Sequence, residues 1–279
     1  MENNYKRILN KHGFFFKKAY GQNFLSDESL LDEIVEKSGV CSGDTVLEIG
    51  LGAGALTKSL AKKAGRVIGY EIDVKLKPVL NDVLAECSNV EIVFKDVMKE
   101  SIKNIDDKCG ENFILVANLP YYITTPVIMR FLEESKNVKA MFVMVQQEVA
   151  ERLASSEATS DYGAITVAIN LRGSASILMK VDREKFYPIP NVDSAVVGIV
   201  LDRNKSNNLD LENIRKVVRI AFQNRRKTLA NNLINALKIS RSQVESILEN
   251  IGVSILSRGE ELSSEKYVEL TKQLKEYLK

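Results

Sequence analysis

The stretch Glu48-Ile49-Gly50-Leu51-Gly52-Ala53-Gly54 most constrains how this chain can fold, because its glycines alternate where a strand would meet a helix. Residues 45–49 are short and apolar enough for a buried strand, and helical spacing resumes over residues 55–63. Glycines at such a junction let the backbone turn sharply and let a ligand approach the main chain closely. Residues 66–71, 90–95, 113–117 and 138–145 read as further strands, and residues 27–37, 75–86 and 125–134 as helices. Strands alternating with helices predict an α/β, Rossmann-like domain with a parallel sheet and right-handed crossovers.

Beyond residue 146 the pattern predicts a helix and then a strand-rich end over residues 163–172, 175–181 and 194–201. Residues 203–208 are polar and aperiodic, as a linker would be. Everything after them has helical spacing, over residues 211–222, 228–237, 242–251 and 264–278. The expected organisation is an α/β domain over residues 1–202, opening with a basic arm over residues 1–25, and a small all-helical domain over residues 209–279.

Several function classes are disfavoured at this stage. Cys41, Cys87 and Cys109 are odd in number and widely spaced, so neither a disulfide framework nor a zinc site is expected, and a reducing cytoplasm is the natural compartment. The single histidine, His12, makes histidine-based metal or acid–base chemistry improbable. No apolar run reaches the length of a membrane span, so no membrane partner is expected. The formal net charge is only +2, yet residues 1–25 carry a net +4 and residues 203–230 a net +6. Two basic blocks on an otherwise acidic chain suggest a local polyanion-binding face, although solvated helix surfaces also carry such charge.

The glycine loop alone is ambiguous. Gly50, Gly52 and Ala55 fit the dinucleotide fingerprint, with Glu71 at the expected distance beyond. Three features oppose a nicotinamide cofactor. Glu48 precedes the glycines inside the strand, Asp96 closes the third strand, and the strand over residues 113–117 runs into Asn118-Leu119-Pro120-Tyr121. S-adenosylmethionine explains these together. Glu71 would accept from the two ribose hydroxyls, Asp96 from the adenine amine, and Gly50, Gly52 and Gly54 would admit the methionine portion. An acid at a strand end is often only a cap for the next helix, but four such positions at successive strand ends are harder to explain that way.

The turn at residues 118–121 suits an exocyclic amine on a nucleobase. The Asn118 amide oxygen and the Leu119 carbonyl can each accept one N–H of an adenine N6 group, Pro120 fixes the turn, and Tyr121 offers a stacking face. The same four residues could equally close a strand with an ordinary proline turn.

With these motifs in place the chain resembles the ribosomal RNA adenine dimethyltransferase family, in its bacterial small-subunit branch. The match includes Tyr20-Gly21-Gln22-Asn23-Phe24-Leu25, the segment from Phe186 to Ser194 with its two prolines, and Phe222-Gln223-Asn224-Arg225-Arg226-Lys227-Thr228-Leu229. It runs from about Lys18 to the C-terminus in the family's order. The resemblance implies a class I methyltransferase sheet with S-adenosylmethionine as cofactor. It also implies transfer of two methyl groups to N6 of each of two adjacent adenosines near the 3′ end of small-subunit rRNA. Asn23 and Leu25 would lie against the cofactor with Glu48, Gly50, Gly52, Gly54, Glu71, Asp96 and Asn118. Phe186 would face Tyr121 across the base. Lys17, Lys18, Arg215, Arg219, Arg225, Arg226 and Lys227 would meet rRNA phosphates. Tyr187 and Ile189 stand where the family often has other residues, which touches pocket detail rather than chemistry. The expected partner is the small ribosomal subunit or an assembly intermediate, met by a monomer.

Two alternatives stay open on sequence. A large-subunit rRNA adenine methyltransferase of the antibiotic-resistance kind shares the glycine loop and an Asn-x-Pro-Tyr turn, though the match over residues 222–229 favours the small-subunit branch. A non-catalytic nucleic-acid-binding relative would keep the fold without needing Glu71, Asp96 and Asn118.

Overall fold

A computed structural model describes residues 4–14, 24–25 and 27–278. Its strands are β1 (Phe24–Leu25), β2 (Thr45–Ile49), β3 (Arg66–Glu71), β4 (Val90–Phe94), β5 (Phe113–Asn118), β6 (Val138–Gln146), β7 (Gly173–Val181), β8 (Phe186–Tyr187) and β9 (Ser194–Leu201). Seven of them form one sheet in the order β4-β3-β2-β5-β6-β9-β7, while β1 and β8 pair separately and antiparallel. β2 runs parallel to both β3 and β5, β3 to β4 and β5 to β6, whereas β9 runs antiparallel to β6.

The central strands are apolar because helices cover both faces of such a sheet. In β5, Phe113, Ile114, Leu115, Val116 and Ala117 are all buried. Phe113 meets Phe131 of the helix Tyr121–Glu134 edge-on, with ring centroids 6.4 Å apart. Each large side chain buried this way stabilises the fold by roughly 1.5–3 kcal/mol.

The chain leaves β2 toward β3 and β4, then returns to the other side of β2 to lay down β5 and β6. The connections after β2 and after β5 therefore diverge. A crevice opens at the carboxyl ends of these two strands, where ligands bind in folds of this kind.

The residues pack as two units, one of residues 1–150 and 176–200, the other of residues 151–175 and 201–279. This differs from the division expected at residue 202, since residues 151–175 join the helical unit. Tyr162, Val167 and Leu171 are the cause: they are buried in one cluster with Val217, Leu233, Val244, Leu248 and Leu270 of the C-terminal helices. The expected strand over residues 163–172 is instead the helix Ala164–Asn170. Its β-branched Ile165, Thr166, Val167 and Ile169 imitate a strand, but Val167 and Leu171 share a helical face and tertiary burial overrides propensity. Residues 203–208, expected to be a linker, contain the short helix Arg203–Ser206, capped by the Asp202 carboxylate. The helix expected over residues 75–86 is a 3₁₀ turn, Val74–Leu76, followed by the helix Lys77–Val83.

One buried acid secures the end of the sheet opposite the crevice. Asp106, on the helix Ile102–Cys109, is 6% exposed. It accepts from the Ser135 hydroxyl at 2.6 Å and from the Lys136 N–H at 2.8 Å. Asp106→Ala leaves both donors unpaired and is expected to lower unfolding stability by about 1–3 kcal/mol in urea titrations. An unchanged midpoint would show that water satisfies both donors.

Candidate active site

The crevice holds a cavity of ≈ 370 Å³, within the size range of small-molecule sites. All its walls come from the first packing unit. Leu25, Glu48, Gly50, Gly52, Glu71, Asp96, Asn118, Leu119, Pro120, Tyr121 and Phe186 all line it. Gly54 does not line it; it caps the helix Ala55–Lys63 in a left-handed conformation, its N–H donating to the Leu51 carbonyl. Asn23, Lys17 and Lys18 lie outside the described residues.

The glycine loop follows from β2. Gly52 has φ +55°, and a side chain there would come within 2.4 Å of the Phe24 ring, so only glycine fits beneath that ring. Gly50, at φ +77°, faces the Asn118 carbonyl across the crevice. Glu71, the last residue of β3, ties the loop down. One carboxylate oxygen accepts from the Gly52 N–H at 3.0 Å, the other from the Asp73 N–H at 2.8 Å. Burial raises the Glu71 pKa, with the N–H groups of Asp73, Gly52 and Ile72 opposing.

Glu48 sits one strand over and is 1% exposed. Burial pushes its carboxyl up to about 8, the Thr57 hydroxyl opposes this, and the Glu71 charge adds to it. That hydroxyl stops short of a hydrogen bond, and Oε2 of Glu48 and Oγ1 of Thr57 are both buried without a partner. An orphaned carboxyl oxygen in the wall and a loop whose lining glycines, Gly50 and Gly52, carry no side chain are what a polar, donor-bearing small molecule would fill.

The opposite wall begins at Asn118, which ends β5 in register with Met144 of β6. Leu119 is buried, and Pro120 opens the helix Tyr121–Glu134, its carbonyl accepting from the Ile123 N–H at 3.0 Å and the Thr124 hydroxyl at 3.2 Å. The turn is thus welded to the first helical residues, although sequence spacing had placed that helix four positions later. Tyr121 is half-buried, and its hydroxyl pairs with the Ser194 hydroxyl at 3.0 Å. Burial raises the phenol's pKa, Ser194 opposes it and Asp193 adds to it. Phe186, expected to face Tyr121 across the base, lies beside Leu25 in the β1–β8 pair and is 4% exposed, so in this structure it is a packed part of the wall.

Asp96 lies just past β4 and is anchored by accepting from the Met98 N–H at 3.0 Å. Sequence reasoning missed several neighbours: Phe24 over Gly52, Ile72 after Glu71, Val97 and Met98 after Asp96, and Tyr122, which is 62% exposed. Each lies within two positions of a site residue already singled out, so extending every motif by one or two positions would have found them. Among the described residues, no group of His, Cys, Asp or Glu could hold a metal ion, and no helix is long and apolar enough to cross a membrane.

In the second unit, Arg215 and Arg219 lie exposed on the helix Leu211–Ala221, with Arg226 and Lys227 exposed in the turn that follows. Arg225 differs. Its guanidinium donates to the carbonyls of Ser160 at 2.8 Å and Tyr162 at 2.6 Å and lies 5.9 Å from the Phe222 ring centre. The sequence treated Arg225 as a phosphate contact; exposed like its neighbours, it also ties Ser160 and Tyr162 to the helical core.

The chain matches the family Ribosomal RNA adenine dimethylase over residues 13–276. It is 43% identical to the Ribosomal RNA small subunit methyltransferase A of Bacillus licheniformis, over 98% of this chain and 96% of that protein. It is 42% identical to the protein of the same name from Geobacillus thermodenitrificans, over 96% of this chain and 94% of the other. Among solved structures it resembles a dimethyladenosine transferase from Plasmodium falciparum, with a TM-score of 0.78 and 25% identity over 91% of this chain and 98% of that one. It also resembles the 23S rRNA methyltransferase ErmE, with a TM-score of 0.70 and 28% identity over 91% of this chain and all of that one (100%).

The buried Glu48 carboxyl carries a pH signature. A raised carboxyl pKa contributes stability that is full below its ordinary value of 4.5 and is lost as pH rises through about 8. Thermal midpoints of the wild type are therefore expected to fall between about pH 5 and about pH 9 by more than those of Glu48→Gln. Parallel curves for the two proteins would show that Glu48 ionises at its ordinary pKa.

Proposed function

Because the chain belongs to the ribosomal RNA adenine dimethylase family, we propose that its cavity brings an adenine N6 amine and a methyl donor together at the Asn118–Tyr121 turn. The protein is a small-subunit rRNA (adenine-N6,N6)-dimethyltransferase that uses S-adenosylmethionine. The alternative of a large-subunit enzyme of the resistance kind fits less well, since the near full-length relatives at 43% and 42% identity are small-subunit methyltransferases. The single observation that carries the site assignment is that the glycine loop, Glu71, Asp96 and Asn118–Tyr121 converge on one cavity.

S-adenosylmethionine supplies, when bound, a methyl carbon made electrophilic by a sulfonium. Glu71 would accept from its ribose and Asp96 from its adenine, and the Gly50–Gly52 loop would leave room for its methionine portion. In the first transfer the Asn118 amide oxygen and the Leu119 carbonyl each accept one N6 hydrogen of the target adenine; in the second, one of them holds the single N–H that remains. Holding both hydrogens turns the nitrogen lone pair out of conjugation with the ring and toward the donor, an orientation effect. Tyr121 stacks on the base, with Phe186 packing the wall beside it. A target base must leave its stack to enter, which costs a few kcal/mol, and an aromatic platform returns roughly 1–3 kcal/mol. The methylated amine carries a positive charge and is acidic enough to release its proton to water, so these residues need to orient N6 rather than deprotonate it.

The target, two adjacent adenosines near the 3′ end of the small-subunit rRNA, is reached on the subunit or an assembly intermediate. The enzyme works there as a monomer in the cytoplasm. Arg215, Arg219, Arg226 and Lys227 hold rRNA phosphates, which position the RNA without reading its sequence.

The deciding experiment is methyl transfer from labelled S-adenosylmethionine to undermethylated small subunits, with large subunits in parallel and nucleoside analysis of the product. N6,N6-dimethyladenosine is expected from small subunits alone; label in large-subunit RNA would overturn the substrate assignment. In the same assay Asn118→Ala is expected to lower kcat by about 10²-fold or more, in the range seen when a transition-state hydrogen-bond partner is removed. An unchanged kcat would remove Asn118 from the chemistry.

The basic face predicts a contrast. Arg226→Ala with Lys227→Ala is expected to weaken small-subunit binding and flatten its logarithmic salt dependence by about 1.5, with affinity for S-adenosylhomocysteine unchanged. Arg225→Ala is expected instead to destabilise the fold by about 1–3 kcal/mol. Loss of cofactor affinity in the double variant would count against the RNA assignment.

A further inference from the structure

Two walls of the cavity are joined by a side chain that does not itself line it. The helix Tyr121–Glu134 starts from the catalytic turn and, farther along, carries Arg130, whose side chain is only 15% exposed. Its Nη1 donates to the Val97 carbonyl at 2.6 Å, and its Nη2 donates to the Glu100 carbonyl. Its Nε lies 3.6 Å from the carboxylate of Glu134, an exposed residue one turn on in the same helix.

Asp96, Val97 and Met98 line the cavity. The turn they belong to is compact, since the Lys99 and Glu100 N–H groups both donate to the Asp96 carbonyl, at 3.0 and 3.3 Å. Lys95 and Glu100 also pair across it at 2.8 Å. In the sheet, β3 and β2 stand between β4, which leads into this turn, and β5, which leads into the Asn118 turn. No ladder of backbone hydrogen bonds runs directly between these two strands. Arg130 spans that gap, from the helix that grows out of one wall to the turn that forms the other.

We infer that Arg130 is a positioning residue for the methyl donor: its guanidinium fixes the Asp96–Met98 wall against the helix of the catalytic turn. The inference rests on the proposal that this cavity holds S-adenosylmethionine with its adenine toward Asp96. A planar guanidinium suits the task, because its fork presents two donors at a fixed spacing to two carbonyls of one turn. An ammonium can hold one of them well. With the fork gone, the wall that receives the adenine loses its register with the wall that presents N6, so cofactor binding suffers before chemistry does.

The test compares wild type, Arg130→Met, Arg130→Lys and Glu134→Gln, using calorimetric binding of S-adenosylhomocysteine and methyl transfer to undermethylated small subunits. Arg130→Met is expected to weaken S-adenosylhomocysteine binding about tenfold and to raise KM for S-adenosylmethionine similarly, with kcat at saturating cofactor changing by less than about threefold. Arg130→Lys is expected to fall between the two, and Glu134→Gln to match wild type, which separates the carbonyl contacts from the surface ion pair. If Arg130→Met does not fold, Arg130→Lys carries the comparison. A lower thermal midpoint with unchanged affinity and KM would make Arg130 a purely structural staple and overturn the inference. A wild type that binds no S-adenosylhomocysteine would instead overturn the reading of the cavity itself, and the inference with it.

Discussion

A mainly parallel sheet whose chain leaves its central strand in both directions cannot close over the carboxyl ends of its middle strands. That constraint sets where everything else in the catalytic unit stands. The loops after β2 and β5 part company, and each strand end near the gap contributes one functional group: Glu48 with its glycines, Glu71, and the Asn118 turn. The local details serve to hold that gap in shape. Glu71 draws the Gly52 N–H toward β3, Phe24 lies over Gly52 where no side chain could fit, and the Pro120 carbonyl is taken up by its own helix.

The chemistry that follows is one of placement. Acceptors, carbonyls and rings line much of the cavity, and Glu48, the acid there with the strongly raised pKa, is almost wholly buried in the wall. Aligning N6 with a pre-activated methyl group demands orientation more than proton transfer, and orientation alone can lower a barrier by several kcal/mol. The fold delivers it through strand ends and a helix start, which are stiffer than free loops.

Much of this was legible from residues alone. The glycine alternation, the acids at strand ends and the Asn-x-Pro-Tyr turn are local signals, each imposed by backbone geometry at one place. What escaped notice depends on partners distant in sequence. The 163–172 segment has the β-branched composition of a strand, and only the helices it packs against make it a helix. Arg225 reads as one more cation in a basic run, because the carbonyls of Ser160 and Tyr162 that it serves lie far earlier in the chain. Arg130 is equally silent in sequence, since its value lies in the carbonyls it reaches. Phe24 and Tyr122, by contrast, adjoin recognised motifs and were within reach of a slightly wider reading.

With Tyr121 as the proposed platform for the target base, its hydrogen bond to Ser194 has a thermodynamic consequence for substrate capture. An aromatic ring that must be immobilised when its ligand arrives gives up rotamer entropy, typically about 0.5–1.5 kcal/mol for a flexible side chain. Here the ring is already tethered at its far end, so that entropy is lost when the protein folds and not when the base arrives. A pre-set platform also stays open after the first product leaves. On the proposed reading, one unchanging surface would serve the unmodified base, its monomethylated form and the neighbouring adenosine alike, without being rebuilt between them.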